Sequence, residues 1–238
     1  REYYLEELKL NKVISLVTGA SSGIGAETAI QLSKISSHIY IIGRNISNLE
    51  IVNDKIIANN CECTIVPLDI NEDQALNNLA KNIAKKDNKI DIIVSCAGII
   101  NHLSPVESIN EDEFKNIVET NFLSNFKLIK SFHYLLKNSE NGRLLVISAN
   151  KSKGYQYWGI YNPIMKALNE LLITYANENK KTNIKANILC PKAVDTYFRD
   201  KIMPGENKDN LLSTTTVAKK IIEITSKDFK KTGEVIEI

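Results

Sequence analysis

Residues 18–25, Thr-Gly-Ala-Ser-Ser-Gly-Ile-Gly, constrain this chain more than any other stretch, because they follow an apolar run over 13–17 and lead directly into a helical pattern. A strand that turns on glycine into a helix aims the helix's first unbonded N–H groups at one point. There the positive end of the helix dipole favours a pyrophosphate. Gly19 lets the chain reverse and Gly25 lets helix and strand pack closely, with Ser21, Ser22, Gly23 and Ile24 between them facing the phosphates. A helix over 24–34 and a second apolar run over 39–42 complete a βαβ unit of about thirty residues. The expectation is a dinucleotide cradle.

Further strand-like runs recur at 64–67, 90–95, 142–147, 184–188 and 234–238, with helical stretches between them. Runs that are apolar throughout, rather than alternating, mark strands covered on both faces. The fold class expected is therefore α/β: a Rossmann-like doubly wound parallel sheet of about seven strands flanked by helices on both faces. A length of 238 residues and 43% hydrophobic content suit a single domain over 1–238. The periodic segments 111–137 and 160–179 carry more apolar surface than one sheet face needs, so pairing in a homodimer or homotetramer is expected of them. Residues 197–212 mix Pro204-Gly205 with charges and short helical patches, as in a flap over a substrate site.

Composition excludes several functions. Thirty basic against 28 acidic residues leave a net charge of +2, too little for a footprint on nucleic acid or anionic lipid. Cys61 and Cys63 are close, but no second pair stands at ligand spacing and His38, His102 and His133 lie apart, so no metal site is expected. Cysteines read as reduced, a charged first stretch without an apolar leader core and no run of membrane-spanning length give the expectation of a cytoplasmic protein.

Arg44 stands just after the second strand, where a dinucleotide fold meets the adenosine ribose. An acid there would accept from a free 2′-hydroxyl, whereas an arginine offers a cationic fork to a 2′-phosphate, so NADP(H) is favoured over NAD(H). Asp69 and Ile70 end the third strand, where the carboxylate would meet the adenine amino group and the isoleucine would back the ring. Asp69 equally suits a cap for a helix over 71–84. Ala97-Gly98 end the fourth and permit a ribose to approach the backbone.

Together these motifs resemble the short-chain dehydrogenase/reductase family over nearly the whole chain. Residues 18–25 match its TGxxxGxG turn, and Asp69, Ala97-Gly98, Asn121, Ser148 and Tyr161 follow in the family's order, the last two thirteen residues apart. The resemblance implies an oxidoreductase that interconverts a carbonyl and an alcohol on a small molecule. Hydride reaching a carbonyl carbon leaves charge on oxygen, which must receive a proton. Tyr161 would supply it as general acid, or remove it in reverse. Ser148 would donate a hydrogen bond to the same oxygen. Asn121 resembles the family asparagine that holds a water in the proton relay, and Pro191, Val194 and Thr196 resemble the segment that clasps the nicotinamide amide.

The sequence departs from the family where Tyr-x-x-x-Lys becomes Tyr161-Asn162-Pro163-Ile164-Met165-Lys166. In an ideal helix the expected lysine position lies about 40° from the tyrosine and the next about 140° away. A helix beginning at Pro163 would release Tyr161 from that phase and let Lys166 reach it; Lys151 and Lys153 are the other candidate cations. Without any cation the phenolate loses about 1.4–4 kcal/mol of support, about ten- to a thousandfold in rate. The alternative reading is therefore a dinucleotide-binding or sensor protein with impaired turnover. Lys192 stands in the family's glycine place, where any required positive φ would be penalised, and Ser95-Cys96 replace its usual asparagine pair. Trp158, Tyr155 and Tyr157 suggest an apolar wall for the substrate.

Overall fold

The computed structural model describes residues 12–149 and 154–238. Seven parallel strands lie in the order β3-β2-β1-β4-β5-β6-β7. They are β1 Ile14–Thr18, β2 His38–Gly43, β3 Glu62–Pro67, β4 Ile92–Ser95, β5 Arg143–Ile147, β6 Lys185–Cys190 and β7 Val235–Glu237. Each starts and ends within two residues of the expected run.

The apolar runs are explained by burial on both faces. Successive side chains point to opposite sides of a strand, and here both sides are covered. Leu16, Tyr40, Ile93, Leu144 and Ile188 face one core with helices α3 (Ala75–Lys86), α5 (Ser124–Lys137) and α6 (Tyr161–Glu178). Val17, Ile41, Val94, Leu145 and Leu189 face the other with α1 (Gly23–Leu32), α2 (Ile46–Ile57) and α8 (Thr214–Thr225). Strand order reverses between β1 and β4, and loops from the two halves diverge there to leave a crevice at the carboxyl ends of the strands.

Three local findings differ from the sequence reading. The long segment 111–137 is helical throughout but not uniformly so: α4 (Glu111–Val118) passes through a π-helical turn, Glu119–Leu123, before α5. The helix after β3 starts at Ala75 rather than residue 71, and Asp69 is not its cap. The Asp69 carboxylate instead accepts from the Asn71 N–H at 2.9 Å, and Gln74 with φ 58° precedes the helix. Finally, α6 begins at Tyr161 itself, with Pro163 inside the first turn where its missing N–H costs no hydrogen bond.

Between β6 and α8, the segment expected as a flap forms the short helix α7 (Tyr197–Ile202) and a 3₁₀ turn, Lys208–Asn210. The Arg199 guanidinium forks onto Glu206 at 2.6 and 2.7 Å, and Lys208 reaches Asp195 at 3.0 Å and Asp200 at 3.3 Å. Among the described residues no helix is long and apolar enough to cross a membrane.

Candidate functional site

A cavity of about 600 Å³ occupies the crevice. Its wall is built from the loops that leave six strands: 19–25 after β1, Gly43-Arg44 after β2, 68–71 after β3, 96–99 after β4, 147–149 at the end of β5 and 191–196 after β6. Every residue expected to bind cofactor therefore faces one space: Gly19, Ser21, Ser22, Gly23, Ile24, Gly25, Arg44, Asp69, Ile70, Ala97, Gly98, Pro191, Val194 and Thr196.

The glycine end of this cleft fits a diphosphate. Gly19 has φ +64°, and a Cβ on it would stand 2.8 Å from the Ala97 nitrogen; a Cβ on Gly25 would collide with the Gly19 carbonyl. Only bare backbone brings α1 this close to β1 and β4. The N-cap Ser22 makes no side-chain bond into the first turn, and that turn carries no acidic residue, so the helix's positive end is left for an anion. Arg44 sits at the rim, largely exposed, 3.8 Å from the Asp69 carboxylate.

At the other end, Asn121, Ser148 and Tyr161 line the same cleft. The π turn places Asn121 so that both ends of its amide engage Ile99: Oδ1 accepts from the Ile99 N–H and Nδ2 donates to the Ile99 carbonyl, each at 2.8 Å. The Asn121 carbonyl in turn accepts from Asn125 Nδ2 at 2.9 Å. Ser148 is 5% exposed, and its hydroxyl donates to Asn169 Oδ1 at 2.6 Å rather than toward the cleft, with the Met165 carbonyl at 3.4 Å. Ser148 still lines the cleft, with this partner behind it. Tyr161 packs edge-on to Trp158 with ring centres 5.9 Å apart and near Phe198 at 6.2 Å. Burial, and secondly the neighbouring Cys190, push its phenol up to about 12.

Helical phase sets which residue follows Tyr161 on its own face. Because α6 already includes Tyr161, Met165 is the residue one turn on; it is 5% exposed and lines the cleft. Lys166, the next residue, is exposed and is not part of that lining. Lys151 and Lys153 lie outside the described residues. Lys192 lines the cleft without the expected strain: its N–H donates to the Ile238 carbonyl at 2.9 Å, and it is not among the residues with positive φ. Trp158 and Tyr155 wall the main cleft, whereas Tyr157 turns to a small neighbouring pocket.

Sequence reasoning missed Asn125 and Asn169. Each stands four residues beyond a residue already singled out, Asn121 and Met165, which is the helical interval that shares a face. That interval was the available signal.

Residues 12–207 match the family described as short chain dehydrogenase. An uncharacterized oxidoreductase of Saccharomyces cerevisiae is 31% identical over 196 residues, covering 81% of this chain and 74% of that one. Among solved structures, an oxidoreductase from E. coli is 25% identical with a TM-score of 0.88, covering 95% of each chain. An alcohol dehydrogenase from the archaeon Thermococcus sibiricus, solved with 5-hydroxy-NADP, is 25% identical with a TM-score of 0.85, covering 95% of this chain and 96% of that one.

Proposed function

The chain belongs to the short chain dehydrogenase family, and on that premise we propose that it is an NADP(H)-linked oxidoreductase interconverting a carbonyl and an alcohol on a small molecule. The single observation that carries the reading is one continuous cleft with an anion-ready helix terminus at one end and a buried phenol at the other. The similarity to the Thermococcus sibiricus enzyme with its 5-hydroxy-NADP supports the cofactor class.

The roles follow from position and chemistry. The 19–25 turn and the first N–H groups of α1 hold the diphosphate; Arg44 takes the 2′-phosphate; Asp69 and Ile70 meet the adenine; Ala97-Gly98 meet the ribose; Pro191, Val194 and Thr196 hold the nicotinamide amide. Bound there, the nicotinamide dinucleotide supplies or takes the hydride. Tyr161 gives its phenolic proton to the carbonyl oxygen as the carbon is reduced, and takes it back when the alcohol is oxidised. Asn121, by clamping Ile99, holds the loop on which the cofactor rests. Ser148 lies against the substrate oxygen. Trp158, Tyr155 and Phe198 give the substrate an apolar wall.

The test is titration of the protein with NADP⁺ and NAD⁺. Arg44→Ala is expected to weaken NADP⁺ by about ten- to a hundredfold, the worth of a charge-assisted contact, and to leave NAD⁺ nearly unchanged. No binding of either nucleotide at millimolar concentration sinks the reading.

Met165 favours a second reading, in which the protein binds the dinucleotide with little turnover and serves as a sensor. Saturable nucleotide binding with no NADPH consumption across a broad carbonyl panel selects that alternative. Exposed Phe114, Phe126 and Tyr134 on α4 and α5 support a homo-oligomer built on these helices, which light scattering decides.

A further inference from the structure

We infer that Asn169 commits the Ser148 hydroxyl to accept rather than donate, so that the site is matched to an alcohol in preference to the corresponding carbonyl compound. The inference rests on the carbonyl–alcohol chemistry proposed above and gives Asn169 the part of a positioning residue.

A serine hydroxyl has one proton and two lone pairs. Ser148 Oγ stands 2.6 Å from Asn169 Oδ1 and 3.4 Å from the Met165 carbonyl, and both partners are acceptors on α6. The amide cannot turn over to relieve this, because Asn169 Nδ2 donates to the Ala149 carbonyl at 3.1 Å, and a flip would set two carbonyl oxygens against each other. Ser148 and Asn169 are each 5% exposed, so water does not compete for the bond. Turning the proton toward the cleft would leave two unshielded oxygens facing each other at the same 2.6 Å in a low-dielectric setting. The Ser148 oxygen therefore offers the cleft lone pairs.

Tyr161 offers the opposite. Burial keeps its phenol protonated over the whole neutral range, so it donates. An alcohol oxygen fits both partners, accepting from Tyr161 and donating to Ser148. A carbonyl oxygen has no proton, so it meets one donor and one lone pair. The walls formed by Tyr155, Trp158, Phe198 and Ile202 suit an apolar ring carrying that hydroxyl.

Trp158 is the one tryptophan of the chain and lines the cleft, so its emission reports occupancy without turnover. The test titrates the full chain, without nucleotide so that no hydride passes, with trans-1-decalol and trans-1-decalone. The alcohol is expected to bind roughly fivefold tighter, the size of one net neutral hydrogen bond. Asn169→Leu removes the 2.6 Å acceptor, leaves only the Met165 carbonyl at 3.4 Å, and so frees the serine proton to turn to the cleft; it is expected to bring the ratio to about one. Equal or reversed affinities in the unaltered protein overturn the inference, as does silence from both compounds or a ratio that Asn169→Leu leaves at about five. The unaltered protein's ratio stands as a test even if the variant does not fold. Nucleotide titration reads the proposed enzyme class separately, so the two failures are distinguishable.

Discussion

Tyr161 carries the proposed chemistry, and its surroundings oppose its ionisation: burial leads, Cys190 adds to it, and the position one helical turn on is filled by Met165. Methionine is unbranched and nearly as long as lysine, so Met165→Lys places an ammonium along the path the thioether now takes. A cation there lowers the phenol by about 1–3 units from its value of about 12. Turnover at neutral pH is expected to rise by about ten- to a thousandfold, with the alkaline limb of the pH–rate profile moving down by the same units. A profile and rate unchanged in the folded variant would show that Tyr161 is not the proton donor. The displaced lysine was legible in the sequence, because one residue of slip on a helix is a turn of about 100°. What the sequence left open was whether Tyr161 belonged to the helix at all, since proline inside the first turn leaves the start free by two residues. Asn169 was not legible: nothing along the chain ties 148 to 169, and their contact exists only because the segment leaving β5 meets α6 in the fold.

The π turn at Glu119–Leu123 shows the same limit at the level of an element. Over 111–137 the apolar periodicity continues without a break, and one wider turn leaves no composition signal. Its effect is visible only as contacts: Asn121 clamps both backbone groups of Ile99, while Asn125 Nδ2 meets the Asn121 carbonyl. Asn121→Ala leaves a half-buried donor and acceptor on Ile99 without their partner, and urea unfolding is expected to show a loss of about 1–2 kcal/mol. Because Ile99 follows Ala97-Gly98, which are proposed to meet the ribose, nucleotide affinity should fall in parallel; a stability change below about 0.5 kcal/mol would mean that the clamp is not holding the loop. The strands, in contrast, were legible to within two residues because burial on both faces leaves an unbroken apolar run. So was the glycine turn. Gly25→Ala drives a methyl into the Gly19 carbonyl, which only a shift of α1 can relieve. The expected outcome is destabilisation by about 1–3 kcal/mol together with lost nucleotide binding, read by urea titration and by quenching of Trp158 emission. Retention of both would show that the helix does not rely on that close approach.

Across the whole molecule, a two-faced core has a consequence for pH that no single motif displays. Burial raises Cys63, Cys96 and Cys190 to about 12, Cys61 to about 11 and Tyr161 to about 12, and it raises Tyr40 and Tyr175 as well. For each group the folded state holds its proton to a higher pH than the unfolded chain does. Below about pH 9, the ordinary thiol value, both states are protonated and the stabilising difference is fully present. As pH rises from there toward the folded values, the unfolded chain releases protons that the folded one retains, so stability falls. One retained proton gives a slope of about 1.4 kcal/mol per pH unit. Urea unfolding between pH 10 and 11 is expected to show at least that slope, with little change between pH 7 and 8.5. The cysteines report the same burial independently: at pH 8 a disulfide reagent should label the folded protein far more slowly than the urea-unfolded chain, because thiolate is scarce and enclosed. A flat profile to pH 11, with labelling as fast in the folded protein as in urea, would mean that these groups are solvated and that the two apolar layers do not close over the sheet.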